Sequence, residues 1–67
     1  MTATLKHLEV RSAGVMIKRF ESTYEAIAFA EQIEIEHNAT ISIVDTSATI
    51  ERRVNGRVIV AGKNHSM

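Results

Sequence analysis

The stretch "IEIEHNATISIV", residues 33–44, decides the fold of this 67-residue chain, because it can be read in two ways. Its isoleucines alternate with polar residues, which predicts two strands around a turn at His37-Asn38. Alternatively, the preceding "STYEAIAFAEQ" begins a helix that continues to about residue 37. We favour the helix because it adds Ile33 to an apolar stripe, and because Asn is common where a helix ends. The β-branched isoleucines and the late glutamates leave the two-strand alternative open.

The start of this helix has a capping signature. Ser22 and Glu25 are spaced as in a capping box, in which each satisfies a free backbone donor of the other. At 100° per residue, the helix has one apolar stripe that we expect to pack on a sheet. The stripe consists of Ala26, Phe29, Ala30 and Ile33, with Ile27 at its edge.

Strands are predicted on both sides of the helix. Two apolar-polar runs near 4–11 and 15–20 are joined by "SAG", where Gly14 can take the positive φ of a tight turn. After the helix, "TISIVD" is a strand with Ile41 and Ile43 on one face. The polar residues 45–47 then form a turn, because Asp and Ser side chains bond nearby backbone.

The dipeptide Asn55-Gly56 predicts a type I′ hairpin near the end of the chain. A two-residue loop sets the register of the strands beside it. It places Val54 opposite Arg57, Arg53 opposite Val58, and Arg52 opposite Ile59. Neither face of the hairpin is purely apolar, so we expect it at a sheet edge.

The predicted class is therefore α+β, with an antiparallel sheet of four to five short strands and one helix packed on one face. The predicted order is β-β-α-β-β-β. We expect residues 1–67 to form one small domain, with residues 63–67 as a disordered tail.

The composition and the spacing of its residues argue against most catalytic and ligand-binding functions. The absence of cysteine excludes disulfides and thiolate sites. The three histidines lack zinc-type spacing, the glycines are isolated, and nothing resembles a nucleophile elbow. We expect no enzyme, metal, cofactor or small-molecule substrate. No apolar run is long enough to span a bilayer, and "MTATLKHLEV" lacks a signal-peptide core. We expect a cytoplasmic protein.

Net charge is zero, but the charges are segregated along the chain. Residues 1–19 and 48–67 are basic, whereas residues 20–47 hold six acidic residues and no Lys or Arg. Such asymmetry indicates interaction surfaces rather than a fold.

Two candidate surfaces follow. On the continued helix, Tyr24, Ala28 and Ile35 form a second apolar line, interrupted by Glu31, which we interpret as a contact for a protein partner or a second copy. Alternatively, the last hairpin binds nucleic acid, although single-strand readers usually offer aromatic platforms that this region lacks. The basic residues of that alternative are Arg52, Arg53, Arg57 and Lys63.

The stretch "FESTYEAIAFAEQIEIEHNATISIVDTSATIERRV" resembles a ββαββ pattern of small phage and bacterial proteins. In these, a strand ending in an aromatic residue precedes a Ser/Thr-capped helix, and an Asp-centred turn links the next strands. The resemblance covers about half the chain. It implies a phage accessory protein that regulates or inhibits a host protein complex, as anti-CRISPRs do, in the host cytoplasm. It assigns no functional residue.

Overall fold

The structure, a computed structural model, describes residues 6–63, which fold into five strands and one helix. Residues 1–5 and 64–67, with parts of the predicted first strand and tail, lie outside the described residues. The elements are β1 Leu8–Ser12, β2 Val15–Phe20, α1 Thr23–His37, β3 Ile41–Asp45, β4 Arg52–Val54 and β5 Arg57–Ala61.

The ambiguous stretch forms helix up to His37, as favoured from the sequence. Ser22 caps the start, where its hydroxyl accepts the Glu25 N–H at 3.3 Å. Asn38 follows the last turn in the left-handed region, with φ 51° and ψ 43°. These two local signals bound the helix, so Ile33 and Ile35 belong to α1 and the strand begins only at Ile41.

Both hairpins have two-residue turns with positive φ at both central residues, the type I′ geometry. Asn55 and Gly56 have φ of 54° and 79°, and Ala13 and Gly14 have 54° and 81°. The predicted register of the second hairpin is confirmed at all three pairs. In the first hairpin the pairing of β1 with β2 shifts by one residue, since Val10 pairs with Lys18 and the next residue, Arg11, pairs with Met16.

The predicted α+β class and the order β-β-α-β-β-β are confirmed, but the sheet is mixed rather than antiparallel throughout. Its strand order is β2-β1-β3-β5-β4, and β3 pairs with β5 in parallel. After β3 the chain forms the edge strand β4, and it then returns as β5, which lies between β3 and β4. β5 contributes the buried Ile59, whereas the three-residue β4 carries two arginines suited to an edge.

Helix α1 covers one face of the sheet. Its buried residues are Ala26, Ile27 and Ala30. Phe29 and Ile33, predicted in the main stripe, are half-buried and pack against the core, so the helix is rotated towards Ile27. The sheet contributes Leu8, Val10, Ile41, Ile43 and Ile59.

An aromatic pair closes the core near β2. The rings of Phe20 and Phe29 have centroids 5.3 Å apart at 48°. The Lys18 ammonium lies 5.3 Å from the first centroid and 5.7 Å from the second. A cation over aromatic faces is attracted by their quadrupoles, so Lys18 stabilises this aromatic pair.

Candidate interaction surfaces

The outer side of α1 carries an exposed line of four residues, which we call the helix seam: Tyr24, Ala28, Glu31 and Ile35. Their spacing of four, three and four residues keeps them on one side of a helix, as in a coiled-coil contact. Ile35 is 83% exposed and Tyr24 69% exposed, and the two residues between them are also exposed. The structure therefore brings together all four predicted partner-binding residues on an accessible surface.

Acidic residues border the helix seam. At helical spacing, Glu25, Gln32 and Glu36 lie along one flank, where the Gln32 amide donates to the Glu36 carboxylate at 3.0 Å. Glu34 lies on the other flank. The seam is thus a narrow apolar line in a negative field.

Glu34 is held by Arg57 from β5 in a two-bond ion pair. Arg57 Nη1 donates to Glu34 Oε1 at 3.1 Å, and Nη2 donates to Oε2. The same Nη2 donates to the Ile41 carbonyl at 3.0 Å. The hydrogen bonds from Arg57 lower the pKa of Glu34, and the same bonds to Glu34 raise the pKa of Arg57. For each group this effect is larger than the opposite shift caused by partial burial. Arg57 therefore fastens the end of the helix to the sheet.

Arg52 is engaged in a second polar cluster on the helix side of the sheet. Its Nη1 donates to Asp45 Oδ2 at 2.7 Å, and its Nη2 donates to Thr23 Oγ1 at 3.0 Å. Asp45 is only 4% exposed and also accepts from the Ser47 N–H and hydroxyl. Burial raises the pKa of Asp45, but the hydrogen bonds from Arg52 and Ser47 outweigh it and leave the pKa below its ordinary value.

The four basic residues of the nucleic-acid alternative do not share one surface. Arg52 and Arg57 lie on the helix side in ion pairs, whereas Arg53 alternates to the opposite face of β4 and is exposed. Lys63 is exposed, and its N–H donates to the Ala48 carbonyl at 3.0 Å.

The face of the sheet away from the helix, here called the open face, holds an ion cluster that the sequence analysis missed. Glu9 at its centre is 9% exposed. Arg11 Nε donates to Glu9 Oε1 at 3.0 Å, and Arg19 Nε lies 3.4 Å from Oε2. Alternation of Glu9 and Arg11 with the apolar Leu8 and Val10 was the available signal, since it places both charges opposite the core.

Three valines lie beside this cluster on the open face. Val44 of β3 pairs with Val60 of β5, and Val58 pairs with Arg53 across the last hairpin. Val60 is 41% exposed, and the other two are half-buried. We call Val44, Val58 and Val60 the valine patch.

A shallow depression of about 360 Å³ opens where β2 meets the start of α1. Its lining mixes both signs of charge, with three cations and two carboxylates. The lining residues are Lys6, Lys18, Arg19, Phe20, Glu21, Ser22 and Glu25.

Among residues 6–63, no helix has both the length and the apolar character needed to cross a membrane. Within the same residues, no three or more His, Asp or Glu side chains are grouped to hold a metal ion.

Fold and surfaces together define a small α+β domain with one helix on a five-stranded mixed sheet. No protein-family model matches the chain, and no curated protein or solved structure matches it.

Proposed function

We propose that the chain is a non-enzymatic protein-binding module that contacts its partner through the helix seam. The observation that carries this proposal is Ile35, a large apolar side chain that is 83% exposed and lies eleven residues after the exposed Tyr24, on the same side of α1. Apolar side chains in such a line gain free energy when a partner removes them from water.

The charges around the seam define the kind of partner. Glu25, Glu31 and Glu36 are exposed, so a complementary surface has an apolar groove or ridge bordered by Lys or Arg. Two seams facing each other would bring like charges together, which disfavours a two-fold homodimer through this surface. The absence of cysteine fits a partner in the cytoplasm. Regulation or inhibition of a host complex by a phage protein remains a prediction from the resemblance.

Site-specific photo-crosslinking tests the proposal. A photoreactive amino acid replaces Ile35 in cells that express the chain, and in a separate variant it replaces Ile50, an exposed isoleucine in the loop before β4. We expect one protein adduct at position 35 and none at position 50. For an adduct with a foreign protein, excess unlabelled chain should compete, whereas unlabelled Ile35→Glu should not. Equal labelling at both positions would contradict a seam-specific contact.

The alternative is a nucleic-acid-binding regulator. The observation in its favour is the exposed Arg53, which shares the open face with Arg11 and Arg19. Arg52 and Arg57 are already in ion pairs, so phosphate would have to compete with Asp45 and Glu34. A duplex or single strand retarded at physiological salt, with retardation lost in Arg53→Ala and steeply reduced by added salt, would favour this alternative.

A further inference from the structure

The open face of the sheet has the properties of a docking surface for a helix. The valine patch is bordered by Arg53 on the edge strand β4, and Arg11 lies on the other side, two strands from β5. A helix that laid an apolar line on these valines would repeat the packing that α1 makes on the opposite side of the same sheet. The surrounding arginines would then face residues on the flanks of that helix.

The charges of the open face are opposite to those of the helix seam. Among the described residues, the open face has three arginines, Arg11, Arg19 and Arg53, against Glu9. The outer side and flanks of α1 carry four glutamates, and Glu34 alone is paired with an arginine of the sheet. A helix placed on an open face therefore gains attraction, whereas helix against helix or sheet against sheet brings like charges together.

We propose that the open face binds the helix seam of a second copy of this chain, which gives a head-to-tail assembly. The proposal rests on the proposed function, in that the seam is a protein-binding surface, and it names the partner. Ile35 and Tyr24 of one copy cover the valine patch of the next, and glutamates in and beside the seam meet Arg11 and Arg53.

The position of the two surfaces determines the symmetry of this assembly. Helix α1 lies on one face of the sheet, and the open face is the other, so each copy has two different surfaces on opposite sides. A two-fold axis cannot bring both pairs of surfaces together at once. The contact is therefore heterologous, and copies add until a ring closes or a filament grows.

Two blocking variants test this geometry. Ile35→Glu places a charge in the seam, and Val60→Glu places one in the valine patch. Both side chains are well exposed, so the fold should tolerate the change, which circular dichroism and thermal unfolding would verify. Ile50→Glu, in the exposed loop before β4, is the matched control.

Sedimentation velocity over a wide concentration range gives the readout. We expect wild type and Ile50→Glu to form species that grow with concentration and shrink with added salt. Each blocking variant alone should stay monomeric. An equimolar mixture of Ile35→Glu and Val60→Glu should form a species of twice the monomer mass and nothing larger, because one intact seam meets one intact patch.

If Val60→Glu fails to fold, an exchange of charges between the two surfaces tests the same head-to-tail contact. Arg53→Glu and Glu31→Arg should each weaken assembly at least tenfold. Mixing the two should restore assembly with alternating copies, because the unchanged seam of one variant meets the unchanged open face of the other, and the two reversed charges attract each other. If the mixture of these variants contains only monomers while wild type assembles, the head-to-tail contact is refuted.

Other outcomes overturn the proposal and point elsewhere. A wild-type dimer that Ile35→Glu disrupts and Val60→Glu leaves intact is a two-fold seam contact. A wild type that is monomeric at every concentration refutes self-assembly, and crosslinking from position 35 to a foreign protein then retains the proposed function. If crosslinking also fails, both proposals fall. A monomer whose open face retards nucleic acid, with loss in Arg53→Glu, supports the alternative function.

Discussion

Arg52 donates a 2.7 Å hydrogen bond to Asp45, although β4 and β3 are not neighbours in the sheet. The side chain of Arg52 lies across β5, whose Ile59 pairs with Arg52 and with Ile43 of β3. Because its second donor reaches Thr23 at the start of α1, one guanidinium joins the edge strand, the centre of the sheet and the helix.

Loss of Arg52 should destabilise the domain. Arg52→Ala removes the guanidinium that donates to the buried Asp45 carboxylate, and we expect the free energy of unfolding to fall by about 1–3 kcal/mol. The estimate lies below that of a fully buried pair because the Arg52 side chain is partly exposed to water. Urea unfolding measures the change. Arg53→Ala, the exposed neighbour on the opposite face, is the control and should alter stability by less than about 0.5 kcal/mol.

Stability should fall in acid through Asp45 and Glu34. Both carboxyl groups have pKa values lowered by folding from ordinary values of 3.8 and 4.5. A depressed pKa stabilises the fold above the unfolded value, and this contribution is lost as pH falls through the folded value. We expect urea midpoints to decline once pH falls below the ordinary values. Glu34→Gln should make this decline shallower.

Gly62 should not tolerate a side chain. A Cβ there would lie 2.8 Å from Val44 Cγ1 and 3.0 Å from Thr46 Cα, and the latter is backbone that cannot turn aside. The Gly62 N–H also donates to the Asp45 carbonyl at 2.8 Å. Gly62→Ala should lower the free energy of unfolding by about 1–3 kcal/mol. The control is Gly14→Asn, since its Cβ meets open space and Asn tolerates positive φ. Similar losses in both variants would contradict the steric explanation.

The turn of the first hairpin contains a strained backbone conformation that a substitution can relieve. Ala13 has a φ of 54°, a conformation that costs an L-residue with a Cβ about 1–2 kcal/mol. Ala13→Asn should recover about 1 kcal/mol of that cost, which in a domain of this size raises the Tm by about 4–8 °C. Differential scanning calorimetry measures the shift. Asn55→Ala makes the reverse change at the equivalent turn position and should lower the Tm; an increase in Tm there would refute the explanation.

The local elements of the fold could be predicted from the sequence. Ser22, Asn38 and Asn55-Gly56 each act on backbone groups a few residues away, so their signals survive without knowledge of the rest of the chain. The exposure of Ile35 followed from the same helix, because helical spacing alone separates it from Ala26 and Ala30.

The strand order was decided only by the tertiary structure. The sequence places β4 after β3, which suggests neighbours, yet β5 takes the inner position because Ile59 completes the core and β4 is short and arginine-rich. Rotation of the helix towards Ile27 similarly depends on how Phe29 packs on Phe20 from another element.

The helix seam and the open face also differ in whether the sequence alone could predict them. Periodicity within one helix determined the seam, whereas the open face joins Glu9 and Arg19 from β1 and β2 with Val44 and Val60 from β3 and β5. Local hydrogen bonds and helical periodicity depend only on short stretches of sequence. Which distant strands lie side by side depends on the competition of all apolar residues for one core, and that competition is resolved only when the whole chain folds.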